Sequence, residues 1–177
     1  MQEVMKVDVS IIKANPEHTE DISRICANGW KQTVKDFLSE EYQKETVAFW
    51  YNHKRVEADI LAGAYTHVAL VDGKVVGTIG GVINEAKESL IYVFYVDEKY
   101  RYKGIGGKLL DVFTENHLKL GATIQLVSVH EGNDLGIPFY ESKGFQIKEQ
   151  NTKYTKKGER VSTFRYWRNI PIKIKSK

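Results

Sequence analysis

The chain has 177 residues, 42% of them hydrophobic and 28% charged, and a net charge of +3. That length suits one globular domain with a sizeable core, and so mild a basic balance fits an anionic small ligand without demanding nucleic acid. A single cysteine, Cys26, excludes an intrachain disulfide and fits a reducing compartment, and no run approaches the roughly 20 apolar residues of a membrane span.

Residues 7–14 read as a strand from their β-branched content and partial alternation. Asn15-Pro16 reads as a helix cap followed by proline at the first helical position, with Glu17, Glu20 and Asp21 in the turn where the dipole favours negative charge. Ile22, Ile25, Cys26 and Trp30 recur at three and four and form one buried stripe, so Cys26 is expected as an inert core thiol. A second helix is expected over residues 41–62, on Val47, Trp50, Tyr51, Ile60 and Leu61, with Gly63 as its stop.

Residues 67–71 read as a strand, Asp72-Gly73 as a tight hairpin turn, and residues 74–82 as the returning strand. Gly77, Gly80 and Gly81 within that strand point to a bend or a close backbone neighbour. Residues 90–96 are a near-continuous apolar and aromatic run, expected of a central strand buried on both faces. Residues 104–120 read as an amphipathic helix with Ile105, Leu109 and Phe113 inward, ended by Gly121. A strand at 124–129, a short helix at 135–143 closed by Gly144, and strands at 145–147 and 161–167 joined by the polar turn 156–159 complete the chain. The order is strand, two helices, three strands, helix, strand, helix, two strands. It implies a mixed sheet with helices on its faces.

One turn carries chemistry. A buried strand ends near Val96, and Gly104, Gly106 and Gly107 then open a helix. The first N–H groups of a helix have no internal partner and carry partial positive charge, so phosphate oxygens satisfy them. Arg101, Lys103 and Lys108 add charge at the rim. The P-loop pattern fails, because Leu109 stands where Ser or Thr is needed and Tyr102 where Gly is needed. The dinucleotide pattern fails at Leu109 as well. The turn is expected to hold the pyrophosphate of a nucleotide-bearing cofactor, against the alternative of a glycine-rich helix cap with no ligand.

Arg101-x-x-Gly104-x-Gly106 and, further on, Asn133-x-x-Gly136-x-x-Phe139-Tyr140-x-x-x-Gly144-Phe145 resemble the GNAT superfamily of N-acetyltransferases. The likeness runs in element order over residues 7–167; family members usually have Ala where Gly136 stands. It implies an α/β (α+β mixed) fold, a twisted, mostly antiparallel mixed sheet of about seven strands with helices on both faces. It implies acetyl-CoA as acyl donor, its pyrophosphate on the backbone N–H groups of Arg101, Tyr102, Lys103, Gly104, Ile105, Gly106, Gly107 and Lys108. The pantetheine arm would pair with the backbone of Phe94, Tyr95 and Val96 and touch the Asn133 side chain, in a slot where the strands ending near Val96 and Val129 splay apart.

The implied reaction is direct acetyl transfer to a primary amine of a small molecule or peptide, with Tyr140 as the acid that protonates the leaving thiolate. A backbone N–H at the end of the 90–96 strand would stabilise the oxyanion. A catalytically silent acyl-CoA-binding regulator is the alternative. The general base stays open: Ser128 stands where some members carry a carboxylate, leaving Glu85, Glu88 and Glu131 as candidates near strand ends. A water chain or a substrate arriving neutral is equally open, and His130, just after the 124–129 strand, could line the substrate side. The five histidines show no metal-binding spacing. Substrate choice in this fold comes from the first two helices and the hairpin loops, where Trp30, Trp50 and Tyr51 lie. Neither nucleic acid nor membrane is an expected partner, and dimers common in the family lean the expectation towards a homodimer. Residues 1–10 lack the apolar run of a signal peptide, so the expectation is a cytoplasmic protein, one domain over residues 1–170 with a basic tail, 171–177, holding Lys173, Lys175 and Lys177.

Overall fold

The structure is a computed structural model that describes residues 7–172; the lysines of the basic tail lie outside the described residues. Seven strands, β1 (Ser10–Lys13), β2 (His67–Val71), β3 (Lys74–Ile83), β4 (Glu88–Val96), β5 (Ile124–His130), β6 (Gln146–Tyr154) and β7 (Arg160–Asn169), form one sheet in the order β1-β2-β3-β4-β5-β7-β6. All neighbours are antiparallel except β4 and β5, which run parallel. The helix between those two strands is α4 (Ile105–Lys119).

Helices cover both faces. On one, Ile22, Ile25 and Cys26 of α1 (Thr19–Val34) pack with Val56 and Ile60 of α3 (His53–Leu61) against Val68 and Val75 of the sheet. On the other, Leu109, Leu110 and Phe113 of α4 join Tyr140 of α5 (Gly136–Ser142) over Ile79, Ile91 and Val127. Cys26 is fully buried, and burial pushes its thiol pKa up, as an inert core thiol requires. Asn15 caps a short 3₁₀ turn, Pro16–His18, that leads into α1, and the His18 ring completes the reciprocal bond at 3.1 Å.

Local chemistry places the turns. Asp72 (φ 51) and Gly73 (φ 76) both take the left-handed conformation that a tight hairpin between β2 and β3 needs. The single helix expected over residues 41–62 is two, α2 (Glu40–Trp50) and α3, so three helices precede β2. Asn52 makes the break: its side chain accepts the Arg55 N–H at 2.8 Å and its amide returns to the Ala48 carbonyl at 2.8 Å. The first strand is shorter than expected, and the strand expected at 145–147 extends through Tyr154. Every β6 residue is exposed, so the strand carries none of the apolar alternation by which a strand is read.

Candidate active site

The site starts from an extra residue. Gly80 pairs with Val93 and Gly81 with Ile91, leaving Tyr92 unpaired as a β-bulge in β4. Ile91 belongs to the core on the α4 face. Regular alternation would put Val93 and Tyr95 there too. Instead they pack on the α1 face, and Phe94 and Val96 take the α4 face. The glycines permit this: a Cβ on Gly81 would lie 1.8 Å from the Leu90 carbonyl oxygen, and one on Gly80 1.9 Å from that of Ala64. Tyr92 is 62% exposed, so β4 is not buried on both faces.

The bulge ends the parallel pairing. β4 and β5 match from Glu88–Ile124 to Ile91–Val127 and no further. Beyond Ile91 the two strands part. The Asp97 N–H donates to the Val76 carbonyl at 2.8 Å. Stepping back by twos along the antiparallel ladder, Tyr95 directs its backbone polar groups to β3, and Phe94 and Val96 direct theirs into the gap.

The gap opens into a cleft of about 400 Å³. Phe94, Tyr95, Val96, Arg101, Tyr102, Gly104, Ile105, Gly106, Gly107, Asn133 and Tyr140 all line it, so residues from both sequence motifs converge. Lys103 and Lys108 are exposed and do not line it; the Lys103 ammonium lies 6.0 Å from the Tyr100 ring centroid. At one end of the cleft, Tyr102 (φ 63) and Gly104 (φ 79) turn the chain into α4, which has no side-chain cap. Among the described residues, the N–H groups of 102–107 have no hydrogen-bond partner. Unmatched donors converging on a concave, cationic turn make an anion site.

Tyr140 lines the same cleft. It is buried, with edge-on aromatic contacts to Phe94, Phe139 and Phe145, and its hydroxyl makes no hydrogen bond among the described residues. Burial pushes its pKa up, so the phenol holds its proton throughout the neutral range. Asn133 caps α5: its Oδ1 accepts from the Leu135 N–H at 3.2 Å and the Gly136 N–H at 2.8 Å. A Cβ on Gly136 would sit 2.6 Å from the Asn133 Nδ2. The amide therefore occupies space that an alanine would take.

Gly29, Thr33 and Lys143 belong to neither motif yet line the cleft. Gly29 and Thr33 of α1 reach it from the opposite face, and Phe139 and Lys143 from the α5 side. A Cβ on Gly29 would meet the Tyr95 ring at 2.4 Å, so the bare helix surface is what admits that ring. A glycine inside an otherwise regular helical stripe costs about 1 kcal/mol against alanine and was the available signal. Lys143 brings its ammonium to 3.4 Å from where a Gly107 Cβ would be, beside the free N–H groups.

The base candidates separate. Glu85 and Glu88 lie at the paired end of β4, and Glu88 is held by the Asn84 amide at 2.9 Å. Glu131 accepts from Arg160 at 3.0 Å, and the Ser128 hydroxyl accepts from Arg165 at 3.0 Å. His130 is half-buried on the α1 face, its ring 6.4 Å from that of Trp30. Burial and nearby Lys153 lower its pKa and favour the neutral imidazole. Trp30 is core, whereas Trp50 is exposed.

The acetyltransferase (GNAT) domain family matches residues 62–147, a span that contains the bulge, the turn and α5. The chain belongs to the GNAT superfamily of acetyl-CoA-dependent N-acetyltransferases. Among curated relatives, a spermidine N(1)-acetyltransferase of Thermoplasma acidophilum is 25% identical over 148 residues, 81% of this chain and 91% of that one. The crystal structure of the PaiA N-acetyltransferase from the same organism, in complex with coenzyme A, superposes with a TM-score of 0.78 at 23% identity, over 92% of this chain and 99% of that chain. YncA from Salmonella typhimurium, a putative acetyltransferase solved with its cofactor acetyl-CoA, gives 0.67 at 18% identity, over 96% and 98%. Both share this fold. No described helix is long and apolar enough to cross a membrane.

Proposed function

We propose that this GNAT enzyme transfers the acetyl group of acetyl-CoA directly to the primary amine of a small molecule or peptide. The observation that carries the reading is the β4–β5 gap. It is lined by backbone donors of the 102–107 turn and by the Tyr140 hydroxyl, none of which has a hydrogen-bond partner among the described residues. The N–H groups of the turn bind the pyrophosphate, with Arg101 and Lys143 beside it. Phe94 and Val96 pair with the pantetheine arm as a further strand would, and the Asn133 Nδ2 faces it.

The Phe94 N–H, nearer the bulge than Val96, donates to the thioester carbonyl oxygen, which gains charge as the amine attacks. Tyr140 gives its proton to the sulfur as the carbon–sulfur bond breaks. The amine approaches from the α1 face, where neutral His130 can accept the proton it sheds. The acid and the proton acceptor thus sit on opposite sides of the sheet. The relative named for spermidine acetylation supports an amine acceptor, and a polyamine is the first to try.

Calorimetric titration with acetyl-CoA, beside Gly106→Trp, tests the cleft. Micromolar binding that the bulky substitution abolishes is expected, followed by thiol release on adding polyamines, aminoglycosides, amino acids or peptides with free N-termini. Binding without turnover on any amine would favour the silent acyl-CoA-binding regulator. No binding at millimolar acetyl-CoA would remove the reading.

A further inference from the structure

The motif arginine, Arg101, does not reach freely for a phosphate. Its Nη2 donates to the Gln32 Oε1 at 2.6 Å, across 69 positions of sequence. The Gln32 Nε2 in turn donates to the Glu98 Oε2 at 2.8 Å. Glu98 belongs to the 3₁₀ turn Glu98–Tyr100, whose cap backbone bond joins the Arg101 N–H to the Glu98 carbonyl. One amide of α1 therefore stands between a cation and an anion only three residues apart on the loop that leads into the free N–H groups.

Without that amide, Arg101 and Glu98 are close enough along the chain to pair directly, as residues spaced by three do. The guanidinium would then turn from the cleft, and the loop would be held by nothing on α1 at this level. Two helical turns earlier, Arg24 donates to the Asp97 carboxylate at 3.1 Å. Burial raises the Asp97 pKa, but the Lys99 N–H and Arg24 outweigh it and hold the carboxylate below its usual range, so this second tie stays ionised. Gln32 is the only link of the two that touches a residue lining the cleft, and it sits between Gly29 and Thr33, which line it as well, and the loop.

We infer that Gln32 is a positioning residue for the pyrophosphate turn: by separating Arg101 from Glu98 it fixes the guanidinium and the loop backbone where a diphosphate binds. This rests on the cofactor assignment above, and the test keeps the two apart. Affinities for coenzyme A and for pantetheine, which has the arm but no pyrophosphate, are measured by calorimetry and by competition in the native protein, Gln32→Met and Gln32→Glu. The methionine keeps the length and removes both hydrogen bonds. The glutamate keeps the Arg101 contact and repels Glu98.

Gln32→Met is expected to weaken coenzyme A at least fivefold and leave pantetheine within twofold, with Gln32→Glu between native and Met. An unchanged coenzyme A affinity, or equal weakening of both ligands, would overturn the role. A native protein that binds coenzyme A no more tightly than pantetheine would instead sink the assignment of the turn itself.

Discussion

The two halves of β4 treat their polar groups in opposite ways. In the half that pairs with β5, buried side chains satisfy one another. Ser89 meets the His117 Nδ1 at 2.8 Å; Gln125 donates to Ser89 at 3.2 Å and to Thr114 at 3.1 Å; buried Arg168 donates to the Gln125 Oε1 at 3.0 Å. Past the bulge, Phe94 and Val96 turn backbone groups into open space, and the N–H groups of 102–107 stand unmatched beside them. Interiors match their polar groups almost without exception. A stretch that leaves them unmatched within the fold is therefore one whose partner comes from outside. The difference between a structural end and a chemical end of one strand is a difference in where its hydrogen bonds terminate.

Removing the device that separates the halves has the largest expected effect. Gly81→Ala places a Cβ 1.8 Å from the Leu90 carbonyl oxygen. It is expected to cost about 3 kcal/mol, a fall in Tm of roughly 6–12 °C, with coenzyme A binding lost alongside. Native Tm and affinity would show that the bulge does not need this glycine.

Two substitutions should then divide cleanly between the halves. Gln125→Leu takes one hydrogen-bond partner each from Ser89, Thr114 and Arg168, and is expected to cost ~2 kcal/mol of stability while coenzyme A affinity stays within twofold. Tyr140→Phe is expected to do the reverse, lowering turnover at least tenfold (about 1.4 kcal/mol) with cofactor affinity and Tm unchanged. Thermal melts and calorimetry on both variants decide it. Stability loss in Tyr140→Phe without loss of turnover would make that phenol a packing residue.

Acid should attack the matched half selectively. Burial pushes the pKa of His67 and His117 below the usual value, and nearby positive charge adds to each shift: Lys13 for His67, and His67 once protonated for His117. The unfolded chain takes up these protons near pH ~6.5 while the folded chain resists them. Their contribution is therefore complete above that pH and is lost as pH falls towards the lowered folded values. Tm is expected to decline from pH 7 to pH 5, and His117→Gln should shrink the decline. An identical pH dependence in both proteins would contradict it. The smallest effect is expected of Gly136→Ala, which displaces the Asn133 amide and should weaken coenzyme A by about threefold, ~0.7 kcal/mol, without altering Tm.

What the sequence makes legible here is what local spacing controls. The Ile22–Cys26–Trp30 stripe, the Asp72-Gly73 hairpin and the glycines that open α4 each announce themselves within a few residues. The hinge at Asn52 was written in its capping side chain but masked by apolar residues on both sides. The length of β6 has no local signature, because neither face is buried. The bulge left only a hint in Gly80-Gly81, since its effect depends on register against a neighbouring strand. The Gln32–Arg101 contact joins positions 69 apart, and a lone glutamine on a helix surface signals nothing by itself.

Tyr92 has a consequence for how such a chain can change. A codon lost at this position would leave the reading frame of the gene intact and remove the bulge from the strand. Residues after it would keep their faces, Val93 and Tyr95 towards α1 and Phe94 and Val96 towards α4, now in unbroken alternation with Ile91. β4 could then continue its parallel match with β5, and the gap would close into solid sheet. In this stretch, length is under stricter constraint than identity: substitutions at the exposed tyrosine keep the extra residue, whereas its deletion removes the bulge that opens the cleft.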